Sequence, residues 1–323
     1  MLLSDPSDHF PEIKEKVEEN GPCHAAVTQS RYLWDNNSII TYSYIDGNDI
    51  QQSKVDCTME EWTWYTNIEF RKIECGGTIR ISFAGLTGSW TYNGRECMGI
   101  PDNEATMNFD CIKSSTMTIT PKERGVILHE FGHVLGLLHE HQSPKRPRIL
   151  TFCEDATKQY YRDLYQWSDE RVEEQVLRKY DESEVSSCSN IDFKSVMMSV
   201  EQYLIKLCAD IVQHRYPIPY TINTQGIDIP RNHDLSDIDK AYIFLNYPRV
   251  VAHDKTPDWN IRKVLKVAGV GGRRRKDILN ATCPDSIRDL FAQWNVEKRM
   301  PCATAQSPPR LVRFLRWVFR RHL

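Results

Sequence analysis

No stretch of this chain approaches the roughly 20 consecutive apolar residues that a membrane-spanning helix needs. Glycine (15) and proline (16) are too sparse for a collagen-like or low-complexity polymer. Together these absences argue against a transmembrane or fibrous protein. No internal repeat is present, which argues against solenoids and propellers. The cysteines form no CxxC pair and no zinc-finger spacing, so a thiolate zinc site is not indicated. The N-terminal MLLSDPSDHF has neither a basic n-region nor an apolar h-region and does not read as an export signal. Against that, ten cysteines is a high, even count that suits an oxidising compartment. Buried free thiols and disulfides are both compatible with the sequence.

What is present is the composition of a globular protein: 323 residues, 40% apolar and 26% charged. The net charge of −3 conceals two unlike halves. Residues 255–323 carry 16 Lys+Arg against 5 Asp+Glu, a net of +11, which leaves 25 against 39, or −14, for residues 1–254. An acidic body thus precedes a basic tail. Residues 1–30 are polar and punctuated by Pro and Gly, and read as an N-terminal arm. Residues 39–45, β-branched and aromatic before Asp46-Gly47, predict a strand and turn. The spacing of Val55, Met59, Trp62 and Thr66 predicts a helix over 50–67, and the alternation at 78–83 a second strand. The Gly-rich stretch holding Gly85, Gly88, Gly94 and Gly99 reads as loop with short extended pieces. Thr120-Pro121-Lys122-Glu123 opens a helix, with Thr as cap, Pro in the first turn and Glu three residues after the cap. Further helices are expected over 154–166, 168–180 and 236–247. Strands and a helix first, then mainly helices and loops, is an α+β pattern.

The helix opened at Thr120 carries the chemistry. Residues 129–139 read His-Glu-Phe-Gly-His-Val-Leu-Gly-Leu-Leu-His. On a helix His129 and His133 share a face one turn apart, so both imidazoles reach one metal ion. Glu130 is offset by about 100° around the axis, beside that ion, placed to take a proton from water. Gly136 is free to adopt a left-handed conformation that ends the helix and returns His139 to the same point. Three imidazoles leave a fourth position open, the arrangement of a catalytic zinc. HExxH alone arises by chance in roughly one such chain in fifty; with Gly136 and His139 the figure drops below about one in ten thousand.

These eleven residues match the long zinc signature of metzincin metallopeptidases, and His139-Glu140-His141-Gln142-Ser143-Pro144 resembles the astacin-like branch. Segments including RYLWDNNSIITYSYIDG, GIPDNEATMNF and LSDIDKAYIFLNYP are similar to microbial astacin-like peptidases, over about residues 31–248. The resemblance implies a metzincin (zincin-like) catalytic domain: a twisted mixed sheet with two long helices above an active-site cleft, and an irregular C-terminal subdomain. It implies one catalytic zinc ion (Zn2+) held by His129, His133 and His139, with Glu130 as general base. Asp192-Phe193-Lys194-Ser195-Val196-Met197-Met198 resembles the Met-turn, which makes Met197 the apolar floor beneath the histidines. The family has Tyr two residues beyond that Met, where this chain has Ser199. Tyr203 is either a substitute oxyanion donor or a packed surface aromatic. Glu140, by the resemblance, ties down an N-terminal or structural water network, or else is a solvated turn residue, and His141 is expected in solvent. Residues 105–109 resemble the family's edge strand, with a buried strand equally compatible.

The implied partitioning is an N-terminal arm (1–30), a catalytic domain (31–250) and a basic C-terminal tail (251–323), partly helical or disordered. The function implied is a zinc-dependent metalloendopeptidase acting on protein or peptide substrates. The alternatives are an inactive zinc-binding scaffold, suggested by Ser199, and a peptidase whose third ligand is a later Glu, against which Gly136 and His139 argue. Within the tail, Arg313, Arg316 and Arg320 share a helical face opposite Leu311, Leu315 and Val318. That tail is expected to touch an anionic surface or the acidic catalytic domain. No nucleic-acid module accompanies it, and a monomer is expected. Family analogy and cysteine count point to secretion, without a signal in the sequence.

Overall fold

The structure, a computed structural model, describes residues 26–27, 30–84, 88–147, 154–188, 191–198 and 232–299. Tyr203, Ser199 and the helical face expected over 310–323 lie outside the described residues. In chain order the elements are β1 (Ala26–Val27), β2 (Ile39–Tyr44), α1 (Asp49–Thr63), β3 (Glu69–Lys72), β4 (Ile79–Ser82), β5 (Trp90–Thr91) and β6 (Met107–Asn108). They continue with α2 (Pro121–Val134), α3 (Glu154–Tyr165), α4 (Asp169–Val172), β7 (Ser187–Cys188), α5 (Asp237–Asn246), α6 (Ile261–Val267), α7 (Gly272–Leu279) and α8 (Pro284–Arg299).

A five-stranded mixed sheet has the order β3-β2-β4-β6-β5, parallel except for β5. A second, two-stranded sheet pairs β1 with β7. β5 is one short extended piece of the Gly-rich stretch, and it closes one edge. β6, within residues 105–109, is buried between β4 and β5, so of the two readings of that segment the buried strand holds. The helix expected over 168–180 is shorter: α4 ends at Val172 and the chain passes through a wider π-type turn to Leu177.

Two long helices lie together against this sheet. Each starts on a capping box, Asn48 with Gln51 for α1 and Thr120 with Glu123 for α2. Trp62 of α1 is fully buried and donates through its indole to Leu128 O of α2 at 3.0 Å. A second bond between them is ionic: Lys54 Nζ lies 2.7 Å from Glu123 Oε1, both side chains buried. Glu123 also accepts from the backbone N–H of Lys113 and Thr120, so no charge is left uncompensated. On the other side of α2, Trp34 donates to Val134 O at 2.7 Å and Tyr247 to Leu135 O at 2.9 Å. Both carbonyls belong to the last turn, which has no helical partners of its own.

The core continues past residue 250. Trp259, Val264, Leu265, Val270, Ile278, Ile287 and Phe291 are buried in the same cluster as Phe131 and Tyr242. Phe291 of α8 meets Tyr242 of α5 edge-on at 5.5 Å, and Arg288 donates to Trp34 O at 3.0 Å. Of the cysteines, Cys57, Cys75, Cys97, Cys111 and Cys283 are free thiols.

Candidate metal centre

Helix α2 stops one residue after His133. Leu135 is its C-cap and Gly136 takes φ = +91°, a conformation that β-carbons disfavour. Gly136 N–H and Leu137 N–H close the turn onto His133 O and Gly132 O at 2.8 and 2.9 Å. The reversal carries His139 back over the helix face. One ligand atom from each of His129, His133 and His139 then lies within 4.8 Å of the other two.

The ring orientations are set by hydrogen bonds at the far nitrogen. Nδ1 of His129 lies 2.9 Å from Val196 O, Nδ1 of His133 lies 2.8 Å from Leu137 O, and Nδ1 of His139 lies 3.1 Å from Gln142 Oε1. Carbonyl oxygens only accept, so each Nδ1 carries the proton and each Nε2 presents a lone pair. Burial holds all three imidazoles below their usual pKa, His139 at about 3, which keeps them neutral at pH 7. The Nε2 atoms of His129 and His133 are 3.1 Å apart with no proton between them. Two bare lone pairs at that distance repel unless a cation lies beside both. A tetrahedral zinc at 2.0–2.1 Å from each would separate them by about 3.3 Å. The donor set and the fixed tautomers therefore fit zinc.

Glu130, next to His129 on α2, is buried at 6% exposure. Burial pushes its carboxyl up to about 8, and the charge of Asp110 adds to the effect. A bound dication acts in the opposite sense and favours the carboxylate.

Beneath the histidines, Met197 is buried against α2, and a β-carbon built on Gly132 would lie 2.4 Å from its sulfur. Met197 is the residue that the Met-turn resemblance assigns to the floor. The turn itself is anchored from α5. Asp239 accepts from Ser195 Oγ at 2.6 Å, Val196 N–H at 2.9 Å and Ser236 N–H at 3.0 Å. Burial, and then the neighbouring Asp192 charge, push the Asp239 carboxyl up to about 6. Asn232 donates to Phe193 O and Ser195 O from the same side. Since Val196 O is the acceptor for His129, this anchoring reaches the metal ligand through one residue.

Glu140 is buried, with its carboxylate accepting from Asp192 N–H at 2.8 Å and its own N–H donating to Met197 O at 2.9 Å. It is therefore not a solvated turn residue. His141 departs from expectation. It is 2% exposed and its ring stacks on His139 at 5.1 Å, because the short 3-10 turn at Glu140–Gln142 folds inward under the third histidine.

Asp239, Asn232 and Gln142 escape a reading of the sequence. Ser236 and Asp239 read as an ordinary helix cap, and nothing in that spacing says the carboxylate also serves a turn some forty residues earlier. A cavity of about 630 Å³ opens beside His133 and His139, walled by Trp90, Thr91 and Tyr92 on one side and Arg171, Glu174 and Tyr180 on the other.

Residues 26–202 match the family model of the Astacin peptidases. The chain therefore belongs to the astacin family of peptidases. It resembles the solved structure of myroilysin, with a TM-score of 0.58 and 29% identity over 70% of this chain and 99% of that one. It is also 29% identical over 120 residues, 36% of this chain, to the zinc metalloproteinase dpy-31 of Brugia malayi. Tolloid-like protein 1 of Mus musculus is 25% identical over 147 residues, 45% of this chain. The matches span 18% and 13% of those two curated relatives.

Proposed function

We propose that the chain is a zinc-dependent metalloendopeptidase, with His129, His133 and His139 as ligands and Glu130 as general base. The observation that carries this is the convergence of three Nε2 lone pairs, each fixed by an acceptor at Nδ1, with the buried Glu130 adjacent in sequence to the first of them. Zinc in that seat supplies a Lewis acid that acidifies water and polarises the scissile carbonyl. Glu130 takes the proton of the attacking water on its carboxylate and returns it to the leaving nitrogen. The extended substrate adds as a further strand along β5, whose outer edge faces the cavity, with Trp90 and Tyr92 contacting its side chains. Met197 and Glu140 position the ligands and do not touch substrate. Tyr203 stands as the candidate second oxyanion donor in place of the tyrosine that Ser199 replaces. The working unit is a monomer whose substrates are proteins or peptides.

The test is zinc analysis of the purified chain together with casein cleavage, with and without a chelator. Glu130→Ala is expected to keep one zinc per chain and lose about 10²- to 10⁴-fold in rate, the usual contribution of a general base. Equal cleavage by both forms removes the assignment.

A further inference from the structure

Helices α6 and α7 lie outside the family match at 26–202 and take no part in the cleft. Between Ile261 and Leu279 they hold seven Lys+Arg against Asp277 alone, a net of +6. Asp277 and Glu297 engage Arg273 and Arg274. Arg262, Lys266, Arg275 and Lys276 meet no carboxylate among the described residues. Arg275 Nη2 reaches Arg262 O at 3.5 Å, which joins the cations of the two helices into one field. Arg262, Lys266 and Lys276 are exposed. A surface of one sign repels itself and is ordinarily relieved by interspersed acids. Here the relief reaches only Arg273 and Arg274, on a chain whose first 254 residues carry −14.

The hairpin between the helices narrows the class of partner. Gly269 and Gly272 have φ of +68° and +58°, and Val270 between them is buried in the core. Gly271, by contrast, has φ = −118°, and a β-carbon there would meet nothing within 4 Å. Neither backbone nor packing requires glycine at 271. It leaves bare the approach to the first amides of α7, which no side chain caps. The apolar residues of both helices, including Ile261, Val264, Leu265 and Ile278, are turned into the core. Stable anchoring to a membrane takes exposed apolar side chains beside the cations, and the patch has none. Single strands need exposed aromatics for stacking, and Trp259 is buried beneath Lys263. A duplex phosphate backbone needs only spaced cations and open amides.

From this juxtaposition we infer that the α6–α7 hairpin is a docking surface for the phosphate backbone of double-stranded DNA, without sequence preference. Its occupation is independent of peptide cleavage. The experiment is fluorescence anisotropy of the full chain with two unrelated labelled 24-base-pair duplexes in 50 to 200 mM KCl. Both duplexes are expected to bind alike, with affinity falling about 100- to 500-fold across that range for four or five neutralised phosphates. The exposed-site variant Arg262→Gln/Lys266→Gln/Lys276→Gln is expected to bind at least tenfold more weakly while cleaving casein at the parent rate. That rate also reports that the variant is folded, and Lys276→Glu alone is expected to shift binding in the same direction. Absent or salt-insensitive binding overturns the inference. So does binding that neither variant weakens, which would lie with other cations of the chain. Association with anionic vesicles or with a second copy of the chain in place of the duplex overturns it equally.

Discussion

At the scale of single residues, two buried carboxylates do unlike work. Asp239 satisfies three donors around the Met-turn, and Ala there leaves them buried without an acceptor. Asp239→Ala is expected to cost about 3 kcal/mol in denaturant unfolding. Because Val196 O orients His129, zinc affinity is expected to fall about 10- to 100-fold, read by competition with a chelator. A loss of stability with zinc affinity intact would place Asp239 in the scaffold alone. Glu123 is held at about 2: burial alone would raise it, but Lys54, the amides of Thr120 and Lys113 and the Thr120 hydroxyl outweigh that. A carboxyl held below its ordinary value of 4.5 stabilises the fold above that value and loses the contribution as pH falls toward 2. Urea midpoints measured from pH 6 down to pH 3 are expected to fall across that window. In Lys54→Met, where Glu123 loses the cation that lowers it, the fall across that window is expected to be smaller, and identical profiles for the two proteins would refute the assignment.

At the scale of elements, the metal centre depends on how α2 ends. Gly136 at φ = +91° sets the reversal that returns His139. Gly136→Ala is expected to cost about 1 to 2 kcal/mol of backbone strain and to weaken zinc binding through a displaced third ligand. The check is zinc stoichiometry after dialysis; full retention with an unchanged melting temperature would show that the turn tolerates a β-carbon. The cap, the helix and this turn were legible in the sequence because each is specified by residues within a few positions of one another. The pairing of β5 was not. That strand is only Trp90–Thr91, a short extended piece of the Gly-rich stretch, and its place at the sheet edge comes from pairing with β6, which no local pattern announces. His141 was misplaced for a related reason. Two residues beyond a metal ligand, a charged-looking stretch reads as solvent-facing, and only the inward turn onto His139 decides otherwise.

At the scale of the whole molecule, the segment that reads as a basic tail supplies apolar residues to the core of the peptidase. Phe291 is 2% exposed against Tyr242, on the helix that also carries Asp239. Phe291→Ala is expected to cost about 3 to 5 kcal/mol and to lower the unfolding midpoints followed by zinc release and by tryptophan fluorescence together. Separate transitions would instead mark the C-terminal helices as an independent unit. The charge division near residue 254 is thus a property of the surface. Beneath it, one hydrophobic cluster runs from Leu33 to Phe291.

By itself the sequence determined the three histidines that gather at one point, the helix that carries two of them and the family, because spacing along a helix and its closing turn converts directly into spacing in space. Tertiary structure alone decided which carboxylate anchors the Met-turn, which strand forms the edge of the cleft and where the C-terminal helices pack. Those outcomes depend on contacts between residues far apart in the chain, such as Asp239 with Ser195, Trp90 with Asn108 and Phe291 with Tyr242. No local pattern encodes them, since burial and pairing are settled only when the whole core closes.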